Sequence, residues 1–336
     1  MSKIPIYAVL DLLLAGTWMN ANPPNPAPSA DRKGLAFVTY IGFPYQEAAA
    51  AMLVDSIRAR GGEYRDCPVY VVLVDPEKVP GSRLKRRDVE LVPLDLEGTI
   101  RRFPFAAKAY AAAKIEELVA GKIRTLAWFD PETLLLQPPR LMDLTVGIAA
   151  AVNPVHLVNG IGIAESAPLD GFWTPIVQRC GLDPQKLFPV ESLVDAQIIR
   201  AYLNCGIFSV QPERGMLQEW ARTLDVFLRD AEYQRTACPD TKHRTFLHQA
   251  VFTCILVSKL VRAEIRLLPA EYGYPLHLHW RMPLSKKART LDELVSVFHE
   301  SLWIGNQNRI NDIPPASESL KKWLIEESRE LPLSQY

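Results

Sequence analysis

The sequence predicts an α/β fold in which helices cover both faces of a mostly parallel sheet. Over residues 35–129, short runs rich in β-branched and aromatic residues alternate with alanine-rich stretches at helical spacing, which is the rhythm of βαβ units. One run, VYVVLV, is apolar throughout instead of alternating, as a parallel strand buried on both faces is.

Leu35–Tyr40 (LAFVTY) reads as the first strand. Tyr45–Arg60 reads as a helix that stops at Gly61-Gly62. Val69–Val74 is the second strand, ending in Asp75-Pro76, and Val89–Leu94 is a weaker third. Phe105–Val119 is helical and stops at Gly121, and Arg124–Phe129 (RTLAWF) is a fourth strand running into Asp130-Pro131. Beyond residue 140 the rhythm changes. Val146–Val152, Ile207–Val210 and Ile265–Leu268 read as strands, Arg214–Arg229 and Thr245–Lys259 as helices, and the polar Asp240–Arg244 as a loop. Ser317–Ser328 reads as an amphipathic C-terminal helix. The chain thus divides into 1–34, 35–140, 141–310 and 311–336.

Composition excludes several classes. The 336 residues carry 38 Lys+Arg against 38 Asp+Glu, so no broad electrostatic footprint for nucleic acid exists. A hydrophobic share of 48% excludes disorder for the bulk of the chain. The 5 cysteines form no CxxC pair, which argues against a disulfide framework or zinc ribbon and for buried thiols in a cytoplasmic protein. No stretch reaches the ~18 apolar residues of a membrane span. Ile4–Trp18 is mostly apolar, but Asp11 interrupts it; it reads as a short packed helix, with a secretory or membrane-associated segment as the alternative. Pro23, Pro24, Pro26 and Pro28 then make residues 21–33 an extended connector.

Ligands of an open parallel sheet bind at the carboxyl ends of its strands. Neither GxGxxG nor GxxxxGK[ST] occurs, which argues against dinucleotide and P-loop chemistry. Asp130-x-Glu132 follows an apolar strand, so its two carboxylates can reach one hard divalent cation, and such a cation can neutralise a leaving diphosphate. The same tripeptide also makes an ordinary turn and helix start.

Five collinear segments add a family resemblance: FVTYIGFPYQEAAAAMLVDSIR (37–58), FPFAAKAYAAAKIEELVAGKIRTLAWFDPETLLLQPP (103–139), YLNCGIFSVQP (202–212), FLHQAVF (246–252), and IRLLPAEYGYPLHLH (265–279) with LVSVFHESLW (294–303). Together they resemble GT-A glycosyltransferases of the glycogenin type. The resemblance implies a GT-A fold, a Rossmann-like, mostly parallel central sheet in a nucleotide-binding half (35–140), fused to a mixed sugar- and acceptor-binding half (141–310). It implies a metal-dependent, retaining transfer from a nucleoside-diphosphate sugar, UDP-sugar favoured, to an acceptor the sequence does not name. Asp130 and Glu132 would ligate Mn²⁺ or Mg²⁺ with His299 as third ligand, and His277 or His279, two apart on a strand, are the rivals. Imidazole among oxygen ligands favours Mn²⁺. Tyr45 would stack on the base, with Thr39 and Tyr40 lining the same cleft and Asp130 facing the nucleotide. Lys108 would face the diphosphate and the sugar, while Lys114 on the same helix is solvated. Asn204, Gly206 and Gln249 would contact the sugar, Gly206 by letting the backbone approach it closely. Lys108 and Gln249 are the catalytic candidates, and no base is assigned. Cys205 is a small buried filler.

The sequence departs from the family pattern in having Glu132 for Asp, His248 for Asp, Gly273 for Asn, and no Gly or Lys after His299. These departures motivate the alternative of a non-catalytic sugar- or partner-binding protein on the same scaffold. A nucleotidyltransferase is disfavoured, because IGFPYQE stands where such enzymes carry a glycine-rich basic loop.

Overall fold

A computed structural model of the chain describes residues 34–299 and 313–328. The expected N-terminal helix and proline connector lie outside the described residues, as do residues 300–303 of the last resembling segment.

The elements in chain order are β1 (Leu35–Ile41), α1 (Gln46–Arg60), β2 (Val69–Val74), β3 (Glu90–Leu94), α2 (Gly98–Arg101), α3 (Ala106–Val119), β4 (Thr125–Phe129), β5 (Thr133–Leu135), β6 (Ala150–Pro154), α4 (Trp173–Arg179), β7 (Pro189–Glu191), β8 (Ile198–Arg200), β9 (Leu203–Val210), α5 (Met216–Arg229), α6 (Ala231–Thr236), α7 (Thr241–Lys259), β10 (Ile265–Leu267), β11 (Tyr274–Pro275), β12 (Ser296–Phe298) and α8 (Glu318–Ser328).

A 7-stranded sheet in the order β10-β6-β9-β4-β1-β2-β3 organises them. All neighbours are parallel except β9, which runs antiparallel to both β4 and β6. The mostly parallel α/β sheet expected from the sequence is therefore present, and strands from both halves of the chain share it.

Both faces are covered because both sets of alternate side chains are apolar. On β1, Ala36, Val38 and Tyr40 enter the core that also holds the apolar faces of α3, α5 and α7. Leu35, Phe37 and Ile41 enter the core beneath α1, with Leu53, Val54 and Ile57. The alanines of α3 let it lie close on the sheet; Ala109, Ala111 and Ala112 are fully buried.

A second, 3-stranded sheet has the order β11-β12-β5. Its β12 runs antiparallel to β5, with Phe298 opposite Thr133. The next pair continues that register: the His299 N–H donates to the Glu132 carbonyl at 3.0 Å. A segment more than 150 residues downstream is thereby stitched to the Asp-Pro-Glu loop.

Three local expectations change. Residues 240–244 are not a loop, because α7 begins at Thr241 with Asp240 as its N-cap, accepting from the His243 N–H; the polar stretch is the exposed first turn of a helix. The strand expected over Val146–Val152 begins only at Ala150, since Gly147 adopts φ +85° in a turn that leaves Val146 in solvent. His277 and His279 lie in a 3₁₀ segment, Leu276–Arg281, so the same-face reasoning drawn from strand spacing does not hold for them.

Candidate functional site

A cleft of about 560 Å³ opens at the carboxyl ends of β1 and β4. The structure brings Tyr40, Tyr45, Lys108, Asp130 and Glu132 to its walls, together with Asn204, Gly206 and Gln249.

Its centre is an ion pair. Lys108 Nζ donates to Asp130 Oδ2 at 2.6 Å, and Trp128 Nε1 donates to Oδ1 at 2.9 Å. Lys108 stands near the start of α3 and is 3% exposed, so the solvated-face reading of this helix applies to Lys114 and not to Lys108. Burial pushes the Lys108 amine toward neutrality, but the Asp130 charge and hydrogen bond outweigh this and hold it above its usual value. Burial also pushes Asp130 upward, against the pull of Lys108 and the Trp128 indole. Trp128 reaches Asp130, the residue just past the end of β4, because residues two apart along extended backbone face the same side.

Glu132 is half-buried and accepts no side-chain hydrogen bond among the described residues. Its carboxyl lies above its usual value, first through burial, then through the Asp130 charge, with Lys108 opposing both. The cleft thus holds two carboxylates against one ammonium.

At one end, Gln46 fixes the entry to α1: its Oε1 accepts from the Gly42 and Phe43 N–H groups at 2.9 and 3.2 Å. The loop so held presents Tyr45 stacked on Phe43, with ring centroids 5.6 Å apart at 10°. Tyr45 is 42% exposed, so its ring keeps accessible surface for a ligand. Tyr40 packs on Trp128 at 5.7 Å.

At the other end, the Gly206 carbonyl accepts from the Asp130 N–H at 2.8 Å, and the Gly206 N–H donates to Asn204 Oδ1 at 2.7 Å. A Cβ at Gly206 would stand 2.7 Å from the Phe298 ring; the glycine makes room for that ring, rather than for a ligand as the sequence suggested. Gln249, on α7, accepts from the Cys205 N–H at 3.4 Å. Cys205 is fully buried with its thiol pushed up to about 12 by burial, which makes it inert as a nucleophile.

Thr39 and His299 are not among the lining side chains. Successive residues of a strand face opposite sides, so Tyr40 faces the cleft and Thr39 turns to the α1 side. The His299 side chain is fully buried, and its backbone N–H is held by the Glu132 carbonyl. Among the described residues no three His, Cys, Asp or Glu side chains converge as a metal cluster. His277 lines the cleft and is pushed down to about 4 by burial. His279 instead pairs with the Tyr274 hydroxyl at 2.7 Å.

Sequence reasoning missed Phe105, Phe246, His156 and Phe298, which also line the cleft. His156 bonds the Gly273 carbonyl at 3.0 Å and is pushed down to about 3, chiefly by burial. In the sequence Phe105 reads only as the first residue of the alanine-rich helix, and Phe246 and Phe298 only as parts of resembling segments.

No family model and no curated protein matches the chain. Among solved structures it is similar to the bifunctional glycosyltransferase WbbM in its apo form, at 12% identity and TM-score 0.49 over 92% of this chain and 53% of that one. It is also similar to the galactosyltransferase LgtC in complex with donor and acceptor sugar analogs, at 11% and 0.44 over 78% and 86%. The glycosyltransferase GlyE of Streptococcus pneumoniae gives 12% and 0.46 over 88% and 60%. The chain spans about half the length of the WbbM chain. No described helix is long and apolar enough to cross a membrane.

Proposed function

We propose that the chain is a glycosyltransferase of GT-A type that moves a sugar from a nucleoside-diphosphate sugar to an acceptor hydroxyl. One observation carries this reading: side chains from the β1–α1 junction, α3, the β4 end, β9 and α7, singled out separately in the sequence, line one cleft at the carboxyl edge of the sheet.

In this reading the nucleotide base lies on Tyr45, as aromatic platforms hold bases, and the resemblance favours uracil. Lys108 faces the diphosphate and offsets charge on the departing oxygens, where a preorganised donor in a water-poor cleft is most effective. Asn204 and Gln249 orient the sugar. The bond from the anomeric carbon to the diphosphate breaks, a bond to the acceptor oxygen forms, and the acceptor proton passes to the departing diphosphate oxygen. We assign a retaining outcome on the resemblance.

The residues fit a divalent cation that arrives with the nucleotide. Among the described residues Glu132 offers a carboxylate with no side-chain donor, Asp130 stands beside it, and Mg²⁺-like ions are commonly held by one or two carboxylates plus substrate phosphates and water. Asp130 and Glu132 would hold it, and when bound it would supply charge neutralisation of the leaving diphosphate. An oxygen-only donor set suits Mg²⁺ as well as Mn²⁺.

A thermal-shift screen of nucleoside diphosphates and nucleotide sugars, with Mn²⁺, with Mg²⁺ and with chelator, tests this. A ligand at a hundred times its Kd stabilises by about 2.7 kcal/mol. No stabilisation by any nucleotide under any cation would refute the reading. Binding without release of nucleoside diphosphate from any nucleotide sugar would leave a binding protein on this scaffold.

A further inference from the structure

Phe105 has a backbone and surroundings that a core aromatic does not need. It sits at the N-cap of α3 with φ 57° and ψ 4°, in the left-handed region, and makes no side-chain capping bond. Bulky residues rarely adopt this conformation, and N-caps are normally Ser, Thr, Asp or Asn. Such outliers persist where the surroundings enforce them, and they cluster at ligand sites.

The ring is the outer layer of a stack. Phe105 lies on the His248 ring at 5.4 Å and 28°, and His248 lies on Trp220 at 6.4 Å and 28°. The Trp220 indole N–H donates to the His248 carbonyl at 2.7 Å, and His248 Nδ1 bonds the Thr245 carbonyl at 2.7 Å. His248 lies well below its usual value, first through burial and then through the Lys108 charge, so the middle layer is a neutral ring. Trp220 and His248 are buried, while Phe105 is 46% exposed. Lys108 Nζ stands 5.2 Å from the Phe105 ring centre, and Phe246 lines the same cleft.

We propose that Phe105 is a rigid aromatic platform that receives the acceptor, and that the acceptor is a pyranoside presented by its apolar C–H face. This rests on the donor reading above. The donor sugar meets the buried polar groups of Lys108 and Gln249, whereas the Phe105 ring, 46% exposed in the cleft wall, is left for the second substrate. A pyranose carries an apolar face that an aromatic ring matches, and the buried layers behind the ring fix its orientation in advance.

Saturation-transfer NMR with a panel of methyl pyranosides as probes, in the presence of UDP and Mg²⁺, tests this on the full chain. Saturation is expected on the ring C–H protons of at least one pyranoside. Phe105→Asn, which tolerates the left-handed backbone, should weaken that pyranoside about tenfold while leaving the melting midpoint and UDP affinity unchanged, and Phe105→Tyr should restore it. Absence of saturation on every pyranoside while UDP binds overturns the platform and spares the donor reading. Saturation without UDP binding refutes the donor reading and leaves a sugar platform. Phe105→Asn weakening nucleotide sugars but not pyranosides assigns the ring to the donor sugar and overturns the acceptor claim; if it lowers the midpoint and UDP affinity together, the role is structural.

Discussion

Replacing Lys108 by Met removes the ammonium 2.6 Å from Asp130 and keeps most of the side-chain volume. Among the described residues Asp130 would keep one side-chain donor, the Trp128 indole. Removing one partner of a buried pair costs about 3–5 kcal/mol. The remaining indole bond and the 19% exposure of the Asp130 side chain place the loss near the lower end, about 3 kcal/mol. For 336 residues, an unfolding entropy of about 2.1 cal/mol/K per residue turns this into a fall in Tm of about 4 °C. The effect has a pH signature. Without Lys108 the Asp130 carboxyl rises further above its unfolded value, so the penalty is present at neutral pH and is relieved as pH falls through that raised pKa. Urea melts at neutral and acidic pH should show the gap to the wild type closing on acidification, and Lys108→Met with Asp130→Asn should be more stable than Lys108→Met alone at neutral pH. The same variant should bind nucleoside diphosphate about 10–100-fold more weakly, the usual value of a hydrogen bond to a charged group. A stability loss below about 1 kcal/mol, together with no recovery in the double variant, would refute the view that the pair organises the cleft.

Tyr45→Ala should weaken nucleotide binding by about 1–3 kcal/mol with the fold intact; calorimetric titration giving unchanged affinity would remove the base from this ring. Glu132→Gln should abolish the cation dependence of nucleotide binding. Because the Glu132 carboxyl is raised by burial and by Asp130, the same variant should melt higher than wild type at neutral pH, with the difference vanishing as pH falls through the raised pKa. His299→Gln should lower Tm and leave cation dependence unchanged, since the imidazole is buried and is not among the side chains that line the cleft; a weakening of cation-dependent nucleotide binding by ~10–100-fold or more would make it a ligand.

Much of the fold was legible before the structure. The strand and helix signals of residues 35–129 are local: an apolar run bounded by Asp-Pro, a helix closed by Gly, alternate side chains apolar on both faces. Those cues act within a few residues, so the sequence alone determined β1, α1, β2, α3 and β4 to within a residue or so. It misjudged the start of α7, because a polar first turn looks like a loop until its cap is seen, and it placed Thr39 beside Tyr40 in the cleft although neighbours on a strand cannot share a face. What only the tertiary structure decided is which distant groups meet. Lys108 reaches Asp130 across 22 residues, His299 is tied to Glu132 by the register of β12 on β5, and Phe105, His248 and Trp220 stack from three helical segments. No periodicity records such meetings, because they follow from how helices pack on the sheet, where burying apolar surface sets the geometry and the polar groups take the positions it leaves them.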